Sequence, residues 1–246
     1  MKKLSWQVML GIGLVALSAA LYLLHYTLFH DPHHILIYMV GDIAFVPIEV
    51  LFVTLIIHRL LSAREKRIKL QKLNMVVGTF FSEVGTYLLA YFSDRDPDLD
   101  DIRKDLLVSG EWTAKKFDEA WKRLRTYPYT VDMAQVNLEE LRDYLMSKRD
   151  FLLRLLENPM LLDNESFTGL LRAVFHLTEE LQARDDFRTL PETDVDHLAG
   201  DIHRAYYNLV MQWLQYMKYV KKEHPYLFSL AMRTNPFDRA GTPVVT

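Results

Sequence analysis

Apolar positions along this chain follow two different patterns. The first is unbroken. Leu4–Phe29 contains no Asp, Glu, Lys or Arg, and Ile35–Ile57 is interrupted only by Asp42 and Glu49. Each run supplies the ~20 residues that a helix needs to cross a bilayer. The spacing predicts membrane spans over Trp6–Phe29 and Ile35–Ile57, forming a hairpin within residues 1–61.

The second pattern is periodic. Leu70, Leu73, Val77, Phe80, Val84, Tyr87 and Tyr91 recur in alternating steps of three and four, while Asn74, Thr79, Ser82, Glu83 and Thr86 occupy the other face. A one-sided stripe is expected of a helix lying on a protein core. Residues 62–93 therefore read as a basic juxtamembrane segment and amphipathic connecting helix. A third span over Leu73–Ser93 is the alternative, because Glu83 is its only charge.

Residues 94–234 read as a helical domain. Asp96 and Pro97 suit the start of a helix over Pro97–Val108, as N-cap and first helical residue. Further helices are expected over Thr113–Tyr127, Val136–Glu157, Ser166–Arg184 and Asp194–Lys222, with a short one near Tyr226–Met232. Asp194–Lys222 is apolar around much of its circumference and is expected at the centre. Residues 235–246 read as a loose tail. No period-two strand pattern occurs, so the fold class is all-α: a two-helix transmembrane hairpin followed by a cytosolic helical bundle.

Charge sets the orientation. The linker His30–His34 has no Lys or Arg, whereas Lys2 and Lys3 precede the first run and Arg59, Arg64, Lys66, Arg67, Lys69 and Lys72 follow the second. The positive-inside rule then places both termini in the cytoplasm, in the cell (inner) membrane, with the His-rich turn outside. The apolar core Val8–Leu24 is longer than the roughly 7–15 residues of a cleaved signal core. The net charge of −3, with no basic stripe, carries no signal for nucleic acid. With no cysteine, disulfides, thiolate metal sites and cysteine nucleophiles are excluded.

The stretch GDIAFVPIEV (Gly41–Val50) and the closing segment HPYLFSLAMRTNPF (His224–Phe237) resemble an uncharacterised bacterial family of two-span membrane proteins with an all-α cytosolic domain. The resemblance covers nearly the whole chain. It implies a hairpin anchoring a helical domain and brings no activity with it.

Asp42 and Glu49 are the leading candidates for chemistry. Seven residues apart on a helix, they share a face about 10 Å apart along the axis. Ionisable groups in lipid are costly and mark functional sites by default. In an oligomer with these faces inward, each acid becomes a ring that attracts monovalent or divalent cations, and Pro47 between them shapes the helix. The structural alternative is satisfaction within the hairpin. An antiparallel first helix would bring Ser18 and Tyr22 to the depth of Asp42, and Gly11 and Gly13 to that of Glu49.

Two other groups read as ordinary. The alternating acids Asp94, Asp96, Asp98 and Asp100 lack the glycine and terminal glutamate of a calcium loop. His176 with Glu180, and His197 with Asp201, stand at helical i,i+4 spacing that two helices could use for zinc or iron. They read instead as surface or capping residues, as does His203. No metal, cofactor or catalytic residue is expected, and the chain does not read as an enzyme. The leading functional expectation is an oligomeric cation-conducting channel with a cytosolic assembly and gating domain. The alternative is a non-conducting anchored scaffold or signalling adaptor. A metal enzyme ranks third.

Overall fold

The computed structural model describes residues 6–161 and 164–244. The basic pair Lys2 and Lys3, used above for orientation, lies outside them. The described residues are helical with no strand, so the protein is all-α. The chain divides into two compact units, Met1–Lys66 and Arg67–Thr246.

The first unit holds α1 (Trp6–Phe29) and the first part of α2 (Pro32–Phe80). Both helices start and stop for local reasons. α1 ends at His30, whose φ of 54° is left-handed, as at many helix C-termini. Asp31 then caps α2, its Oδ1 accepting from the His33 and His34 amides at 3.0 and 3.1 Å, and Pro32 takes the first helical position. The helix continues through Pro47. α1 buries no residue, and in this unit α2 buries none either.

The second unit begins with the rest of α2, where burial starts at Val77 and Phe80. A π-helical turn, Phe81–Gly85, joins α2 to α3 (Thr86–Ser93). Gly85 is required there: an added Cβ would lie 2.5 Å from the Phe81 ring and 2.9 Å from that of Phe80. Gly78 serves a second close approach, since a Cβ would sit 2.7 Å from Tyr216 Oη. Of the expected stripe, Val77, Phe80, Val84 and Tyr91 are buried, joined by Leu88 and Phe92, while Leu70 and Tyr87 are exposed; from Val77 on it is a core face of the helical unit.

Then follow α4 (Leu99–Arg103), α5 (Ala114–Leu124), α6 (Leu138–Leu156), α7 (Glu165–Gln182), α8 (Glu192–Glu223) and α9 (Pro225–Arg233). Thr113, Asn137 and Asn164 cap α5, α6 and α7, each accepting from the amide three residues on. α8 is the central helix, packed against α3, α5, α7 and α9, and α7 packs also on α6.

Two expectations change. The helix expected from Pro97 starts later and is short, because Asp96 turns inward. Its Oδ1 accepts from Tyr127 Oη at 2.8 Å and from the Asp98 amide at 3.1 Å. The segment from 235, expected to be loose, begins with buried residues. Asn235 Nδ2 donates to the Leu106 carbonyl at 2.8 Å, and Phe237 packs edge-on to Trp213.

Candidate functional site

In the first unit, antiparallel α1 and α2 border an open cavity of about 530 Å³ lined by Ser18, Leu21, Tyr22, His25, His34, Ile35, Tyr38 and Asp42. The expected register holds: Ser18 and Tyr22 lie at the level of Asp42. The His25 and His34 rings stack at 6.1 Å near the turn, and His25 Nδ1 is buried without a hydrogen-bond partner. Glu49 and Pro47 do not line this cavity. Asp42 and Glu49 are both exposed on the single chain. The glycine contact expected beside Glu49 is not formed, since a Cβ on Gly11 or Gly13 would meet nothing within 4 Å.

In the second unit the acidic run resolves into separate partnerships. Burial pushes the Asp96 carboxyl up, against the hydrogen bonds from Tyr127 and the Asp98 amide. Asp105, nearly fully buried, receives Arg123 Nε at 2.5 Å, with Lys116 Nζ 3.9 Å away. These acids face side chains of their own domain rather than a shared ion-binding loop.

The two histidine–acid pairs, which read as surface residues, are brought together. On α7, the i,i+4 spacing puts His176 and Glu180 on the face that meets α8. On α8, the same spacing presents His197 and Asp201. His176 Nε2 is 3.7 Å from Glu180 Oε1 and 3.6 Å from Asp201 Oδ2. His197 Nε2 is 3.5 Å from Glu180 Oε2 and 3.5 Å from Asp201 Oδ2.

Asp201 is no surface residue: it is only 2% exposed, and its Oδ2 accepts no hydrogen bond. Its other oxygen takes Arg204 Nη1 at 2.5 Å. Arg184 braces the opposite side. Its Nη1 donates to Glu180 Oε2 at 2.8 Å, while Nε and Nη2 grip Asp194 at 2.7 and 2.6 Å. The Arg184 guanidinium holds the Glu180 and Asp194 carboxyls below the usual carboxylate range. His203 points elsewhere, with Nδ1 against the Tyr129 carbonyl. The sequence carries the signal for each pair, two i,i+4 spacings. Their convergence depends on the register of α7 against α8.

Residues 69–233 match the family described as "Uncharacterized protein MJ1433, C-terminal helical domain", and residues 2–61 match "MJ1433, N-terminal helical domain". A relative, "Uncharacterized protein MJ1433" of Methanocaldococcus jannaschii, is 46% identical over 233 residues, which is 95% of this chain and 94% of its own length. That relative is archaeal, which corrects the bacterial setting of the resemblance drawn from Gly41–Val50 and His224–Phe237. No solved structure matches the chain. With two helical domains matched in order along nearly its whole length, the chain belongs to the MJ1433 family.

Proposed function

We propose that this chain is an integral membrane protein whose N-terminal hairpin anchors a cytosolic helical domain that serves as a scaffold or signalling adaptor. One observation carries the reading. The helices starting at Trp6 and Pro32 are long and apolar enough to cross a membrane, and their most apolar stretches bury nothing within the protein. The second unit, by contrast, buries a core of its own. Exposed apolar surface on that scale marks a membrane or partner face. A helix with all backbone bonds internal and apolar side chains all round is suited to lipid. The basic residues following Ile57 support the cytosolic placement of the domain.

The test exploits the absence of cysteine. His33→Cys should react with an impermeant maleimide on intact cells, and Lys115→Cys only after lysis. The chain should also stay in the membrane pellet under alkaline carbonate. Extraction by carbonate, or labelling of both sites from the same side, sinks the anchor.

A second reading, conduction by an oligomer, is favoured by the exposure of Asp42 and Glu49 on the single hairpin. An ionised acid at mid-bilayer costs about 2.5–3.5 kcal/mol on insertion scales, and a second copy covering that face relieves it. Pro47 between them would shape the inward face. Cation flux in liposomes should then fall in Asp42→Asn/Glu49→Gln at matched incorporation. No flux from either protein leaves the anchored scaffold, and equal flux from both removes Asp42 and Glu49 from the conduction path.

A further inference from the structure

The face shared by α7 and α8 goes beyond this reading and is independent of it. His176, Glu180 and Asp201 offer three donors from two helices, one imidazole nitrogen and one oxygen from each carboxylate, all within 4.8 Å of one another. His197 stands beside them as a fourth candidate, outside that spacing. His176 Nε2 is 3.7 Å from Glu180 Oε1 and 3.6 Å from Asp201 Oδ2, while His197 Nε2 is 3.5 Å from Asp201 Oδ2 and from the other Glu180 oxygen, Oε2. These distances are too long for N–H···O hydrogen bonds. They are slightly longer than the edge of a coordination tetrahedron, roughly 3.3–3.4 Å for bonds of about 2.0–2.1 Å. A contraction of a few tenths of an ångström brings the His176 nitrogen to that distance from both carboxylates, and His197 completes the set by a larger side-chain movement.

The buried carboxylate supplies the second, independent observation. Asp201 Oδ2 is shielded from solvent, makes no hydrogen bond and lies beside both imidazoles. A buried acceptor left without a donor costs free energy and requires an explanation. A cation held between Asp201 Oδ2, Glu180 and His176 supplies one.

We propose that His176, Glu180 and Asp201, joined by His197 when the ion binds, hold a divalent transition-metal ion, zinc foremost, that clamps α7 to α8. The donor set selects the class: imidazole favours zinc, iron, copper or nickel over magnesium and calcium. Two carboxylates balance a divalent charge. Arg184 and Arg204 occupy the outer side of Glu180 and Asp201, holding them in place as neighbours of metal ligands commonly do. The imidazoles, 46% and 52% exposed, leave a path from solvent. Because the ion bridges helices on either side of the 183–191 connection, it stabilises the domain.

The experiment uses the full chain in detergent, stripped with chelator and then titrated with Zn2+ and with Co2+. Wild type should bind one ion per chain, give the visible bands of tetrahedral Co2+, and unfold at a higher temperature with zinc. His176→Ala/His197→Ala removes two half-exposed side chains and leaves Asp201 intact, so its fold is checked by circular dichroism. It should lose about 100-fold or more in affinity, together with the thermal shift. The hairpin histidines are the competing source of binding, so His30→Ala/His33→Ala/His34→Ala should keep the site unchanged. Absence of binding by wild type, or binding that survives His176→Ala/His197→Ala and disappears with the hairpin histidines, overturns the proposal.

Discussion

The hairpin unit and the helical unit are both built from helices, yet they treat apolar side chains in opposite ways. In α1, Leu10, Leu17 and Leu24 are each more than half exposed, although the helix is apolar from end to end. In α7, Leu170, Leu177 and Leu181 are fully buried, while charged residues occupy the other face. Capping does not separate the units, since Thr113, Asn137 and Asn164 open α5, α6 and α7 as Asp31 opens α2. The helical unit's stability comes from faces that exclude water. The described residues of the hairpin bury no comparable interior, which is the feature the proposed membrane anchor accounts for.

The contrast breaks most visibly if the units are separated. Residues 67–246 expressed alone should be soluble without detergent, helical by circular dichroism and cooperative in denaturant. Aggregation or a non-cooperative transition would mean that residues 1–66 complete the domain's core.

Next in size is a pair of identical truncations. Phe80 is fully buried, with its ring edge-on to Phe167 at 5.6 Å, so Phe80→Ala should cost about 3–5 kcal/mol in chemical unfolding of the domain. Phe45, 57% exposed on the hairpin, should change the same transition by no more than about 0.5 kcal/mol on truncation to alanine. Similar costs would abolish the distinction between the units.

A smaller loss, about 1 kcal/mol, is expected for Asn164→Ala, which removes the acceptor for the Phe167 amide at 2.8 Å. Thermal unfolding checks it, and an unchanged midpoint would show that another group caps α7.

The finest probe is pH. Burial raises the Asp96 carboxyl, so the folded state favours its protonated form. This contribution to stability is fully present below the ordinary aspartate value of about 3.9 and is lost as pH rises through the raised value. Asp96→Asn keeps an acceptor for Tyr127 and the Asp98 amide without titrating. Its unfolding midpoint should therefore gain on that of wild type from pH 4 to 7 and converge with it in acid. A constant difference would assign the effect to packing.

Much of the fold was legible because its signals are local. The stripe through Val77, Phe80 and Val84 predicted a core face without reference to any neighbour, and the central place of Asp194–Lys222 followed from its broad apolar surface. The start of α4 was not legible. Pro97 and Asp96 have the chemistry of a helix start, but Tyr127 draws the Asp96 carboxylate inward from 31 residues away. Asn235 is similar, since its amide finds Leu106 across 129 residues. At the candidate sites, the level of Asp42 against Ser18 and Tyr22 could be counted along two antiparallel helices joined by a short turn.

By itself, then, the sequence determined the all-α class, the two long apolar runs and the i,i+4 pairing of His176 with Glu180 and of His197 with Asp201. These depend on the 3.6-residue repeat and on side chains within a turn of one another. Tertiary structure alone decided that the two pairs meet, that one oxygen of Asp201 is buried without a donor, and that Arg184 and Arg204 brace the acids from outside. The reason is physical: the rotation and register of α7 on α8 are set by interlocking side chains such as Leu177, Leu198 and Ile202 across the whole interface. No local spacing encodes that sum of contacts.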